Sequence, residues 1–216
     1  MAGSRPMGWK ELIDLLRAYG ITTPPDALVR GEEEAVAVAL EIGLPVAMKL
    51  LAPGLPHKSD VGGVILGLGT EEDVREGYKR IAGMAESLGL DGEVLVQRME
   101  PPGREVIVGL TRDPNFGPVV MFGLGGVFVE VLRDIAFRVA PIDLEEAMAM
   151  MRETKGAKVL EGFRGEPSDT KAVARVIEGV SRLGAEMEEV LELDINPLLV
   201  HREGAVAVDF RALVRA

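Results

Sequence analysis

The side chains best suited to chemistry fall in a few places along the 216 residues. Lys49 interrupts the apolar run PVAMKLL. A strand alternates its faces, so Lys49 points opposite to Met48 and Leu50. It is either a lysine on the solvated face of an edge strand or an ammonium reaching a phosphate in a cleft, which suits its compact point charge. Downstream, His57-Lys58-Ser59-Asp60 precedes Val61-Gly62-Gly63. Paired glycines let backbone N–H groups approach an anion and form a nest for phosphate, although surface loops share this composition. Glu105, after Gly103-Arg104, could accept both hydroxyls of a ribose or simply open a strand. The run FGLGG (122–126) either brings backbone near a ligand or makes a tight turn between strands.

Asn196 and Asp209 are equidistant from the bond between Arg202 and Glu203. A hairpin centred there places them opposite each other, with Cβ atoms about 5 Å apart. Pro197 has no N–H for the ladder, so the pairing is expected to be irregular at this point. One carboxylate and one amide oxygen suit a hard cation that also binds phosphate and water, as magnesium does. Asn-Pro is also an ordinary turn dipeptide. Asp194, one alternation earlier, lies on the same face as Asn196.

These residues need elements to hold them. Apolar spacing predicts helices over 9–19, 32–42, 70–88, 144–153 and 170–183. Thr70 and Asp73 form a capping-box-like start, and Ser168 is the expected cap of the last helix. Strands are predicted at 45–51 and 61–68, then successively as EVLVQRM, REVIVGL, PVVMFGL, VFVEVL and IAFRVA. VLELDINPLLV and AVAVDF close the chain. Helices and strands mix without regular βαβ alternation, so the fold class is α+β. Pro101-Pro102-Gly103 marks an internal boundary, with a cleft expected between two lobes.

A net charge of −11, spread along the chain, argues against nucleic acid and anionic membranes as partners. The absence of cysteine removes disulfides, zinc thiolates and a thiol nucleophile, and fits the cytoplasm. The apolar run from Val119 to Val129 is too short to span a bilayer, and MAGSRPMGWKEL lacks the apolar core of a secretory signal.

The segments LPVAMKLLAPGLPHKSDVGGVILGL, VQRMEPPGREVIVGL, FGLGGVFVEVL, GFRGEP and LDINPLLV with AVAVDF resemble the β subunit of ADP-forming acetyl-CoA (acyl-CoA) synthetases. The likeness runs from about residue 10 to the C-terminus, with a more distant similarity to the succinyl-CoA synthetase β subunit. It implies an ATP-grasp fold: an N-terminal helix (1–20), an N-terminal lobe (21–97) and a C-terminal lobe (98–216). It also implies ATP or ADP with Mg2+ between the lobes. Lys49 would contact nucleotide phosphates, with Lys58, Gly62 and Gly63 in a phosphate loop. Gln97, Arg98 and Met99 would line the adenine hinge, largely through backbone groups. Glu105 would hold the ribose, Asn196 and Asp209 the magnesium, and His57 would relay a phosphoryl group. AVAVDFRA departs from the more usual AVDAR-like ending, with Phe210 beside the metal carboxylate. No GxGxxG unit for CoA is present, so an α subunit, in an α2β2 assembly, would carry CoA and acyl chemistry. Two rival readings are a self-sufficient ATP-grasp carboxylate–amine ligase and a non-catalytic ATP-grasp regulatory module. Neither explains a histidine cluster kept together with Lys49, Glu105, Asn196 and Asp209.

Overall fold

The computed structural model describes residues 3–52, 62–125, 134–163 and 165–216. In chain order the elements are β1 (Ser4–Pro6), α1 (Trp9–Ala18), β2 (Asp26–Val29), α2 (Glu32–Ile42), β3 (Val46–Leu51) and β4 (Val64–Leu68). Next come α3 (Glu71–Ser87), β5 (Glu93–Arg98), β6 (Arg104–Asp113), β7 (Gly117–Leu124) and β8 (Ile135–Val139). The chain closes with α4 (Leu144–Arg152), α5 (Ala157–Leu160), α6 (Thr170–Glu186), β9 (Val190–Val200), β10 (Ala205–Ala207) and β11 (Phe210–Arg215). The expected VFVEVL strand lies outside the described residues.

Two compact units result, one of residues 24–101 and one of residues 1–23 with 102–216. The smaller is a four-stranded antiparallel sheet in the order β2-β5-β3-β4. Met48 and Leu50 of β3 and Val94 and Val96 of β5 form its core with Ala35 and Ala39 of α2 and Val74 and Ile81 of α3. The predicted capping box is present. Asp73 donates its N–H to Thr70 Oγ1 at 3.1 Å, and Thr70 donates its own to the Asp73 carboxylate at 2.9 Å.

The larger unit has a seven-stranded sheet, ordered β1-β11-β9-β6-β7-β8, with β10 also paired to β9. Val106, Val108 and Leu110 of β6 and Ile195 and Leu198 of β9 meet Val173, Ile177 and Val180 of α6 in its core. Leu12, Ile13 and Leu16 of α1 belong to the same cluster. The N-terminal helix, set apart in the sequence reading, therefore belongs with residues 102–216. Its physical reason is simple: a short amphipathic helix is marginal alone and must bury its stripe against something. No helix among the described residues is long and apolar enough to cross a membrane.

Both ends of α6 are held by distant side chains. At its C-terminus the Arg112 guanidinium donates to the carbonyls of Gly184, Met187 and Val190, each at 2.7 Å. A cation there satisfies orphan carbonyls and complements the helix dipole. At the N-terminus the cap is Asp169 rather than the expected Ser168. Its carboxylate accepts the Ala172 N–H at 2.9 Å and the Gly204 N–H at 3.0 Å, so one side chain serves both helix and terminal hairpin. A Ser168 hydroxyl one residue earlier would not sit at the N-cap.

These backbone donors from Gly204 and Ala172 hold the Asp169 carboxyl below its usual range. A depressed folded-state pKa gives stability that is complete above the ordinary carboxylate range and lost as pH falls through the lowered value. Asp169→Ala should therefore cost about 1–2 kcal/mol in urea unfolding at neutral pH. The gap between wild type and variant should narrow in acid; a gap independent of pH would show that the charge contributes nothing.

Candidate functional site

In the smaller unit, β3 lies between β4 and β5, so Lys49 is not on an edge strand. It stands opposite Val64 and Leu95 and is only 5% exposed. Met48 and Leu50 turn toward the helices while Lys49 takes the other face, as alternation requires. Burying an ammonium is costly unless it meets an anion or other acceptors, which disfavours the solvated-lysine alternative.

Gln97 shares that face of the sheet. It pairs with Ala47, two residues from Lys49 on β3, and is 2% exposed. Its Nε2 is buried and lacks a hydrogen-bond partner among the described residues. The next two backbone donors are engaged within the unit: Arg98 N–H to Pro25 O at 2.9 Å and Met99 N–H to Pro45 O at 3.1 Å. Arg98 itself is exposed and pairs with Glu100 at 3.1 Å, and the Met99 sulfur accepts the Gly67 N–H at 2.9 Å. At this strand end the buried unpaired donor is thus a side chain, where the sequence had pointed to backbone. An orphaned amide depends on three-dimensional neighbours and leaves no mark in a linear pattern.

Gly62 has φ +75°, the left-handed conformation that glycine adopts without strain, and the Gly63 carbonyl accepts the Leu50 N–H at 2.8 Å. His57 and Lys58 lie outside the described residues.

In the larger unit the terminal hairpin forms about the predicted centre. Ala205 pairs with Val200 and Ala207 with Leu198; after a short break, Phe210 pairs with Ile195 and Arg211 with Asp194, all in one register. Within the break, Asn196 donates its N–H to the Asp209 carbonyl at 2.9 Å. The Asn196–Asp209 pairing counted from the turn is therefore present. On the other side of β9, Val106 pairs with Leu198 but Val108 with Ile195. Asn196 and Pro197 together face the single residue Ile107, a β-bulge of the kind that re-aims side chains beside sites. It allows Ile195 and Leu198, three residues apart, both to enter the core.

Asp194 and Arg211 meet at 3.4 Å on the face away from α6. Burial pushes the Asp194 carboxyl up; Arg211 acts against this, and the negative charges of Asp209 and Glu192 act with it. Close carboxylates with one arginine between them leave a negative excess that a cation would relieve. Asp209 also accepts the Phe210 N–H on Oδ1 at 3.1 Å. The Phe210 ring stacks on Trp9 of α1, centroids 4.4 Å apart, so the atypical residue at 210 anchors the strand that carries Asp209.

Glu105 is exposed on β6, alternating with the core residue Val106. Its carbonyl accepts the Gly125 N–H at 2.8 Å, and a Cβ on Gly125 would lie 2.9 Å from the Glu105 Cβ. That glycine serves close approach of one backbone to another; Gly126 is outside the described residues.

Within the larger unit, the oxygen donors and negative charge on β9 and β11 suit a hard cation; within the smaller unit, a buried lysine and an orphaned amide are groups that a polar ligand could engage. A family model described as an ATP-grasp domain matches residues 2–214. The acetate–CoA ligase [ADP-forming] I subunit beta of Pyrococcus furiosus is 46% identical, over 99% of this chain and 94% of that protein. A structure of acetyl-coenzyme A synthetase 1 from Ca. Korarchaeum cryptofilum with coenzyme A and Ca-AMPCP superposes with TM-score 0.92 at 44% identity, over 99% of this chain and 94% of that one. Another structure of that protein holds coenzyme A and Mg-AMPPCP, its phosphohistidine segment pointing towards the nucleotide binding site. It gives TM-score 0.86 at 44% identity, over 97% of this chain and 93% of that one. Likeness of this extent runs through both units, and the chain accordingly belongs to the ATP-grasp family, among the β subunits of ADP-forming acetate–CoA ligases.

Proposed function

We propose that this chain is the nucleotide-binding subunit of an ADP-forming acyl-CoA synthetase and makes ATP from acyl-CoA, ADP and phosphate, reversibly, in the cytoplasm. What chiefly supports the reading is the hairpin register that pairs Asn196 with Asp209 beside an excess of negative charge. Their oxygens fit Mg2+, which, when bound, would offset charge on the nucleotide phosphates. Lys49 adds a second positive charge toward the phosphates, and Glu105 takes the ribose hydroxyls. Gln97 donates its buried Nε2–H to an acceptor on the base, which offsets the cost of leaving that amide unpaired.

His57 is the relay. In the direction of ATP formation, phosphate displaces CoA from the thioester on the partner, and a partner histidine takes the phosphoryl group from the acyl phosphate, forming P–N as the P–O bond to the acyl group breaks and the free carboxylate leaves. A nitrogen of His57 then attacks that phosphorus: a new P–N bond forms as the partner's P–N bond breaks. A terminal β-phosphate oxygen of ADP attacks next, forming P–O as the His57 P–N bond breaks, and His57 returns as imidazole. Neutral imidazole is a competent nucleophile near pH 7 because its ordinary pKa is about 6.5. The reading rests on the phosphohistidine segment of the Ca. Korarchaeum cryptofilum protein and on the HKSD cluster here. An α subunit, in an α2β2 heterotetramer, supplies the CoA and acyl sites.

The pure chain should bind Mg·ADP or Mg·ATP by calorimetry yet form no acyl-CoA until an α subunit is added. Robust synthesis by the chain alone would refute the division of labour.

His57→Ala should keep nucleotide affinity within about twofold, since the relay is not a ground-state contact. The reconstituted complex should lose ATP formation, and γ-labelled ATP should leave an acid-labile, base-stable label on wild type only. Wild-type turnover in the mutant complex would remove His57 from the mechanism.

A further inference from the structure

A groove of about 340 Å³ opens where β6 begins and β9 ends, lined by Arg104, Glu166, His201 and Arg202 among others. All belong to the larger unit. Arg104 alternates with Glu105 and therefore lies on the opposite face of the sheet from the ribose carboxylate. Its side chain reaches the Glu166 carbonyl at 3.4 Å, a long contact that, among the described residues, leaves most of the guanidinium's five N–H donors uncommitted. Arg202 stands 3.9 Å from the Glu166 carboxylate, an ion pair too long for a hydrogen bond, with both side chains more than three-quarters exposed. His201 Nε2 is buried and has no partner among the described residues. Its ring lies against Gly103, where an added Cβ would come within 3.0 Å of Cε1.

Two guanidiniums around one groove, with the His201 imidazole in its lining, form a local basic site on a chain of net charge −11. We propose that this groove binds a phosphate-class oxyanion, as free phosphate or a phosphate monoester, at a site separate from the nucleotide face. A tetrahedral oxyanion accepts hydrogen bonds from several directions at once, which fits donors carried by β6 and by the terminal turn. A planar carboxylate is served by a single guanidinium fork. Glu166 occupies Arg202 only weakly, and an incoming oxyanion displaces it. His201 lines the groove, so an anion bound there changes the field at its ring and makes the imidazole a reporter of binding.

With only two histidines, imidazole NMR of the full chain resolves His201 from His57. Titration with inorganic phosphate or with methyl phosphate should move the His201 signal saturably, while chloride at matched ionic strength should not. Whichever of the two probes binds more tightly identifies the free or the esterified source. Arg104→Ala and Arg202→Ala should each weaken binding about tenfold or more. Glu166→Gln should strengthen it, an opposite sign that mere structural damage would not produce. The response should persist in Asp209→Asn, which separates it from phosphate held at the nucleotide face. No saturable shift, an equal response to chloride, or affinity unchanged in both arginine variants would overturn the proposal.

Discussion

The hydrogen bond from the Asn196 N–H to the Asp209 carbonyl holds the C-terminal part of the chain in a single register. From Ala205 to Leu213 every residue keeps the same partner offset on β9, across the break between β10 and β11. A slip of one residue would turn every side chain of β11 to the other face, exposing Phe210 and Ala212 and burying Arg211. Much else hangs on this pairing. Among the described residues β1 pairs only with β11, α1 stacks Trp9 on Phe210, and β9 carries β6 on its other side. The bulge at Asn196-Pro197 lets β9 serve both neighbours while freeing Asn196 from core packing.

Charge organises the same region. Asp194 is held between burial, which disfavours its ionised form, and Arg211, which favours it. The negative charges of Asp209 and Glu192 act on Asp194 in the same sense as burial. Proteins seldom leave carboxylates together without a purpose, because like charges close to each other raise the free energy of the folded state. In the smaller unit Lys49 is buried, and the Gln97 Nε2 lacks a hydrogen-bond partner among the described residues.

Much of this was legible in the sequence because it depends on local spacing. Counting outward from Arg202-Glu203 was enough to pair Asn196 with Asp209, and Thr70 with Asp73 announced the start of α3. The α+β class followed from helices and strands mixing without βαβ order. What remained hidden depends on residues far apart in the chain. Asp169 caps α6 because Gly204, 35 residues on, also donates to it. Lys49 becomes an interior rather than an edge residue only once β4 and β5 flank β3. The membership of α1 in the larger unit is invisible until its apolar stripe joins the core of that unit. The orphaned nitrogens of Gln97 and His201 are defined by missing neighbours, which no spacing can reveal.

Asn196 and Asp209 are proposed to hold one cation. The most direct measurement is a double-mutant cycle on Mg2+-dependent ADP affinity, using Asn196→Ala, Asp209→Asn and the pair. Two ligands of one ion cannot each be lost at full cost, so the combined loss should fall short of the sum by about 1 kcal/mol or more. Affinity without Mg2+ should change little in all three variants. Strictly additive losses, or equal losses with and without the metal, would contradict the shared site.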